Sequence, residues 1–591
     1  MAESFSKISI KTTVYSNCDD IQLCWRTLDG ENQDVPVQDC IGFMIERRRK
    51  KGNEWSGPEI LRNRVGFGQE NVNTENPKEI SRPSNIWPFQ RYDWTDHGAN
   101  NSDMVQYRIS AVSKAQDTVL GESILPILFA SDWTRDITVS ASAGKDIEVF
   151  FNRGTMMSQY VARYAREKNW SAVDIKKQVK TLTEPLRVFL SGELRLAIIK
   201  ILDEVIANPF LSVYTILFEL ADTELLDKLQ RISDRANIIL SDGANTKKAE
   251  GKSIQYIDEN EGVRSILKNA GVIVYDRILG KQGLGHNKIL IVVDNRTNVP
   301  QLVLTGSTNW TASGLCTQLN NAIILRKKEV AQTYLEYWYK LKNAQNGFGD
   351  ELMNFNGKQP HIVEDTEMWF TRTLKPAKNE GFPDIEYIKE LIGKAKHSIQ
   401  YVMFQPGDEP LISILNRRDE EELYIRGVVS TVITSNKEKF ELLDEKMDKS
   451  YKIDLIQPDG ITDDISYWIK EVTRKGFIPS VGYAITHTKM IVIDAFGDNP
   501  VVITGSHNFS KSASQNNDEN FVVIKGNKKL AEHYAVACIS MYSHYRYRAY
   551  VIDKKAAKQD FWQHLDDNDR WQEKRLNNKR TLRHLNFWCS K

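Results

Sequence analysis

Cysteine is scarce and shows no pairing pattern. The six in 591 residues are Cys18, Cys24, Cys40, Cys316, Cys538 and Cys589, and none forms a Cys-x-x-Cys pair. That spacing argues against a zinc site and fits a reducing compartment; a local disulfide among the first three is the lesser alternative. Long apolar runs are also lacking. The longest stretch, "FLSVYTILFELADTELL", is interrupted by acids and reads as a buried strand followed by a helix, so no membrane span is expected. The opening "MAESFSKISIKTT" has no apolar segment of the kind a secretory signal needs, and a cytoplasmic location is expected. Excess charge of one sign is missing too. With 79 Lys+Arg against 78 Asp+Glu the formal net charge is +1, so net charge speaks neither for nor against a nucleic-acid partner. What is present is globular: 41% hydrophobic and 27% charged residues, over a length that predicts two to four domains.

Residues 1–130 read as short strands between turn-rich loops, "IQLCWRTL", "IGFMIERRR" and "MVQYRISAV" among them, and predict a β-sandwich. Trp25, the Phe43-x-Ile45-x-Arg47 strand followed by Trp55, and Tyr107-Arg108-Ile109-Ser110-Ala111-Val112 resemble a fibronectin type III domain. The basic run Arg47 to Lys51 reads as a solvated strand end, with a phosphate-binding patch as the alternative. After Asp132 helices and strands alternate, which predicts an α/β architecture. A comparable series starts near Glu367, so residues 131–350 and 351–555 read as two duplicated halves. Residues 556–591 form a basic, aromatic tail with Arg570, Lys574, Arg575, Lys579, Arg580, Arg583 and Lys591 interleaved with Trp571, Phe587 and Trp588. The tail, and the nearby stretch Tyr545 to Arg548, read equally as nucleic-acid contacts or as solvated helix.

Each half closes on the same pattern. The first runs "GHNKILIVVDNRTNVPQLVLTGSTNW" and the second "THTKMIVIDAFGDNPVVITGSHNF". His286, Lys288, Asp294, Gly306, Ser307 and Asn309 correspond to His487, Lys489, Asp494, Gly505, Ser506 and Asn508, the two histidines lying 201 residues apart. His and Lys two residues apart on a strand face one side. A returning strand that ends in a Gly-Ser turn brings hydroxyl, backbone N–H and amide donors beside them. Such a cleft suits a tetrahedral phosphate, and its histidines can attack phosphorus or move a proton.

These residues resemble the phospholipase D superfamily, whose signature HxKx4Dx6GSxN occurs twice in one active site. The second copy keeps the His-Lys-Asp spacing. In the first, five residues rather than four separate Lys288 from Asp294, and Val293 stands at the expected position. The resemblance implies two α/β/α halves joined as a pseudo-dimer behind the sandwich, with Asp294, Asp494, Gly306 and Gly505 structural. It also implies metal-independent phosphodiester cleavage through a phosphohistidine, without a cofactor.

Fourteen residues after Gly505 stands Glu519, and fourteen after Gly306 stands Asn320. A carboxylate raises the pKa of an imidazole beside it. With Glu519 beside His487, His487 is expected to be protonated and to act as general acid; with Asn320 beside His286, His286 is expected to be the neutral nucleophile. Tyrosyl-DNA phosphodiesterases resemble this arrangement. Asn320 as a mere strand-end residue, with Asn321 or Asn517 in its place, is the alternative. Lys288, Lys489, Asn309 and Asn508 are expected to neutralise the phosphoryl charge. Ser307, Ser506, Asn320 and Trp310 are expected to bind substrate, Trp310 by stacking a base or else as a core aromatic under the turn. The first substrate reading is nucleic acid, DNA ahead of RNA. Phospholipid is the alternative, and a degenerate nucleic-acid-binding module a further one. A protein partner for the sandwich stays open, as does the oligomeric state.

Overall fold

The computed structural model describes residues 8–67, 81–154, 158–244, 247–250, 253–374, 376–378, 380–417, 423–429, 453–456, 486–556 and 564–589. Of the expected strand "YKIDLIQP", Ile453–Ile456 is a strand and the flanking residues lie outside the described set. The chain divides into two compact units, Met1–Ser140 with Tyr550–Lys591, and Ala141–Ala549.

The first unit is β-rich. Strands β1 (Ser9–Ser16), β2 (Ile21–Leu28) and β4 (Asp93–Asp96) form one antiparallel sheet. β3 (Cys40–Lys51), β5 (Met104–Ser113) and β6 (Ile127–Ala130) belong to another. Trp25 of β2 meets Phe43 of β3 edge-on at 5.6 Å, so the two sheets share a core. The basic run on β3 is neutralised locally: Arg47 pairs with Asp96 at 2.6 Å and Glu59 at 2.8 Å, and Arg49 with Glu59 and Asp103. The stretch expected as a free tail is part of this unit. Trp571 packs against Phe43 at 5.8 Å and Tyr92 at 5.6 Å, and its Nε1 donates to the Cys40 carbonyl. Trp588 packs against Tyr15 at 5.4 Å, and both tryptophans are buried.

The second unit holds two sheets of matching topology. In the first half the order is β7 (Ile147–Phe151), β13 (Asn321–Leu325), β12 (Val299–Gly306), β11 (Lys288–Asp294), β8 (Leu211–Leu217), β9 (Ala236–Ser241), β10 (Ile273–Arg277). The second repeats that order with β15 (Thr366–Phe370), β21 (Asn520–Lys525), β20 (Val501–Gly505), β19 (Met490–Ile493), β16 (Ser398–Met403), β17 (Tyr424–Val429) and β18 (Ile453–Ile456), adding β14 (His361–Val363) at the edge. In each sheet three strands run parallel and the rest pair antiparallel. The central strands are continuous β-branched and leucine runs, buried from end to end, as strands covered on both faces must be. Helix α1 (Pro185–Ala207) brings Arg187 onto Asp222, the residue whose carboxylate also caps α2 (Thr223–Ile232) at Leu225 N.

The halves are stitched reciprocally. Thr305, one residue before Gly306, donates to Asn520 Oδ1 at 2.7 Å; Thr504, one before Gly505, accepts from Asn321 Nδ2 at 2.9 Å. Arg277 and Asp518, both almost fully buried, add a 2.8 Å ion pair between halves. An ion pair so far from water is costly to break one-sidedly, which holds the two halves in one register.

Candidate active site

β11 and β19 each begin at or just after the motif lysine, so His286 and His487 stand at the same end of adjoining sheets. Their ring centroids are 6.3 Å apart. The geometry around them is duplicated closely. Lys288 Nζ donates to the His286 carbonyl at 2.6 Å, and Lys489 Nζ to the His487 carbonyl at 2.6 Å. Phe218, just past β8, packs 4.7 Å from His286 and lies 4.7 Å from Lys288 Nζ. Phe404, just past β16, packs 4.7 Å from His487 and lies 4.8 Å from Lys489 Nζ. These two phenylalanines were not singled out in the sequence, although each ends an equivalent strand, "YTILF" and "QYVMF".

The glycines are required by a close approach. A Cβ on Gly306 would lie 2.3 Å from the Asn321 carbonyl oxygen, and one on Gly505 2.3 Å from that of Asn520. Only a residue without a side chain lets the returning strand turn there. The hydroxyls of Ser307 and Ser506 clasp the same crossing, each accepting from the N–H of Asn321 or Asn520 at 3.0 Å. Both serines are fully buried. Their expected substrate-binding role is therefore corrected to a turn-locking one.

The most consequential correction concerns the partners fourteen residues after each glycine. They cross over. Glu519 Oε1 lies 3.2 Å from Nδ1 of His286, not beside His487. Asn320 Oδ1 lies 2.9 Å from Nδ1 of His487, not beside His286. An amide oxygen only accepts, so His487 carries its proton on Nδ1 and turns an Nε2 lone pair to the cleft. The amide's orientation is set by Asn320 Nδ2 donating to the Gly314 carbonyl at 2.8 Å and Ser307 Oγ donating to Oδ1 at 2.8 Å. Glu519 is held by the Asn508 N–H at 3.0 Å and Asn517 Nδ2 at 2.8 Å. Asn320 is thus the partner of an imidazole, and Asn321 a stitch between halves.

The electrostatics follow from burial. Burial, aided by Lys288, lowers the His286 pKa to about 4 against the pull of Glu519. His487 is pushed well below its ordinary value by burial and by Lys489, Lys288 and His286. Both imidazoles are thus held neutral near pH 7, where a protonated His487 was expected. Glu519 is buried, yet His286 and Asn517 hold its carboxyl at about 2, so it is ionised. Burial lowers Lys288 to about 7 and also lowers Lys489 well below its ordinary value. A cleft whose buried lysines are disfavoured in their cationic form gains from an arriving anion.

Trp310, Asp494 and Asp294 lie apart from the cleft chemistry. Trp310 is buried, and its backbone N–H donates to the Glu219 carbonyl, so it is a core aromatic under the turn and not a base-stacking platform. Asp494 accepts from the N–H groups of Lys396, His397 and Ser398, a structural clamp. Asp294 instead pairs with Arg296, and a register shift, Val292 opposite Leu302 and Val293 opposite Pro300, leaves Gln301 of the returning strand as a bulge. Val293 is an ordinary buried strand residue. Asn309 Nδ2 donates to Glu219 Oε2 at 2.9 Å, a partner sequence reasoning missed.

Comparison with known proteins agrees with this duplication. A family model described as "Cardiolipin synthase, PLD-like domain" matches residues 203–341 and 388–541. A phospholipase D of Rickettsia prowazekii (strain Madrid E) is 31% identical over 64 residues, 11% of this chain and 28% of that protein's length. Similar solved structures include a phosphatidylserine synthase of Haemophilus influenzae (12% identity, TM-score 0.40, 60% of this chain and 85% of that one). A yeast tyrosyl-DNA phosphodiesterase is also similar (13% identity, TM-score 0.31, 55% and 86%). So is the phospholipase D family member Nuc of Salmonella typhimurium (19% identity, TM-score 0.19, 31% and 93%). The two matched segments, one in each half, are thus each similar to a phospholipase D-like domain. Among the described residues no helix is long and apolar enough to cross a membrane, and no group of three or more His, Cys, Asp or Glu is placed to hold a metal ion.

Proposed function

We propose that the two phospholipase D-like halves form one phosphodiesterase site that works through a covalent phosphohistidine. The observation that carries this reading is the convergence of two His–Lys–Asn sets on one cleft, with histidine rings 6.3 Å apart. His286 is the nucleophile. Its Nδ1 lies 3.2 Å from ionised Glu519, which stabilises the positive ring that attack on phosphorus creates. His487 is the general acid. Its neutral partner Asn320 fixes the tautomer without adding basicity, so a proton taken from solvent at Nε2 as the diester anion binds is readily given to the leaving oxygen. His487 then takes a proton from water, which attacks phosphorus and releases the second product. Lys288, Lys489, Asn309 and Asn508 meet the phosphoryl oxygens. The role assignment made from the sequence is kept, on the opposite pairing.

Nucleic acid is the substrate class we propose first, DNA ahead of RNA, with the Gly-Ser-x-Asn-aromatic ending of both motifs as its remaining support. Trp310, Trp571 and Trp588 no longer contribute, since all three are buried. Phospholipid is the second reading, favoured by the family description quoted above. The β-rich N-terminal unit is read as a fibronectin type III-like module that engages a partner protein or positions substrate. Purified protein incubated with single-stranded DNA, duplex DNA, RNA and phospholipid vesicles in EDTA, beside His286→Ala and His487→Ala, tests the whole reading. Cleavage of nucleic acid is expected, with a covalent adduct accumulating in His487→Ala and missing from His286→Ala. Lipid cleavage alone would reverse the substrate order, and an adduct surviving in His286→Ala would overturn the nucleophile.

A further inference from the structure

The two half-sites are alike in fold but unlike in charge. Phe218 and Phe404 occupy equivalent places against the two histidines, and the residues that follow them are Glu219 and Gln405. The half-site of His286 therefore carries two carboxylates, Glu219 and Glu519, while at the equivalent positions around His487 stand two amides, Gln405 and Asn320. Glu519 is fully buried and held by Asn508 and Asn517. Glu219 is partly exposed, and its Oε2 accepts from Asn309 Nδ2 at 2.9 Å. Asn309 is one of the amides that meets phosphate in the proposed function.

Three groups bear on the Glu219 carboxylate from the elements packed around it. Lys288 approaches from β11, Asn309 from the loop after β12, and Glu259 from the segment before α3 (Glu261–Asn269). Lys288 and Asn309 favour the ionised form. Burial opposes it, and so does Glu259. The balance is close, and a phosphate anion seated on Asn309 and Lys288 would add a negative charge beside it while competing for both of its stabilising contacts.

We propose that Glu219 is a positioning residue that couples substrate binding to uptake of one proton. Before substrate binds, the carboxylate holds Asn309 in place and favours the cationic form of Lys288. When the diester anion binds, the carboxylate takes a proton from solvent and becomes a neutral carboxylic acid, leaving Lys288 to the phosphate; no bond to phosphorus is made or broken in this step. Burial already brings the free carboxyl up to about 7, so the exchange falls in the neutral range. Above that range each further pH unit then weakens diester binding about tenfold through this group.

This inference rests on the phosphodiesterase reading, and the experiment separates the two. Sulfate keeps a fixed charge over the neutral range, as does bis(p-nitrophenyl) phosphate. Sulfate binding is measured by calorimetry in buffers of different ionisation enthalpy, and KM for bis(p-nitrophenyl) phosphate is followed against pH. Wild type, Glu219→Gln and Glu219→Asp are compared. The expected result is that Glu219→Gln takes up about one proton fewer than wild type on binding sulfate and loses one unit of slope in log KM on the alkaline side. Glu219→Asp, which restores the charge, is expected to bring both back. A role confined to bracing Asn309 would change kcat or KM in Glu219→Gln without altering proton uptake or slope, and that result overturns the proposal. Equal proton uptake in all three proteins overturns it as well. If wild type neither binds sulfate nor turns over the diester, the phosphodiesterase reading falls and takes this one with it.

Discussion

Replacing Glu519 with glutamine tests the crossed pairing directly. Glu519 lies 3.2 Å from His286 Nδ1 and is fully buried. Attack on phosphorus turns His286 into a cation at that distance from the carboxylate. With an effective dielectric constant near 20 the attraction is about 5 kcal/mol, an upper figure because substrate and solvent share the cleft. If about half is realised in the transition state, Glu519→Gln slows phosphohistidine formation about a hundredfold. Glutamine also substitutes a donor for one of the two oxygens that accept from Asn508 N–H and Asn517 Nδ2. The assay is rapid acid quench of a labelled diester in a His487→Ala background, where the adduct accumulates, read with and without Glu519→Gln. Adduct formation within about threefold of its parent would refute the reasoning, because a hundredfold loss follows from only half of the estimated attraction. Asn320→Asp is the converse change: it places a carboxylate beside His487, makes the ring more basic, and is expected to slow protonation of the leaving oxygen.

Two further outcomes follow from burial. His286 titrates at about 4 in the folded protein against 6.5 when exposed, so the unfolded chain binds the extra proton first and stability falls with pH below about 6.5, levelling off below about 4. That loss amounts to about 3 kcal/mol, and a chemical-denaturation series across this range should show His286→Asn abolishing its share; an unchanged pH slope would contradict it. Trp571→Ala should destabilise the N-terminal unit by about 3–5 kcal/mol, through lost packing on Phe43 and Tyr92 and an unpaired Cys40 carbonyl. Earlier unfolding by tryptophan fluorescence and faster proteolysis after residue 564 are its readouts; a free tail would show neither.

Much of the catalytic half of the molecule was legible from spacing. Histidine and lysine two apart ahead of an apolar run, a second apolar run and a Gly-Ser turn specify a strand pair with its polar residues at one end, and the repeat at 201 residues doubles it. The alternation of β-branched runs with amphipathic helices announced the α/β architecture, since parallel neighbours need helical crossovers. Other residues gave no such signal. Trp310, Trp571 and Trp588 have the composition of a nucleic-acid surface and the burial of a core, because an aromatic ring serves both and only its neighbours decide. Ser307 and Ser506 carry hydroxyls suited to phosphate, yet the strand that crosses at Gly306 and Gly505 occupies them first.

By itself, then, the sequence determined the duplicated strand-turn unit and the chemical kit it carries: two imidazoles, two ammonium groups, two amides, and one carboxylate opposed to one asparagine. Local periodicity and spacing suffice for that, because those residues lie within one hairpin of each other. Which imidazole meets the carboxylate was decided only by tertiary structure. The halves meet through reciprocal bonds, Thr305 to Asn520 and Asn321 to Thr504, and this sends the residue fourteen places past each glycine into the opposite half-site. No count along one chain segment encodes a partner that a symmetric association supplies from the other. The same association made His286 the imidazole with the charged neighbour and left His487 with a neutral one.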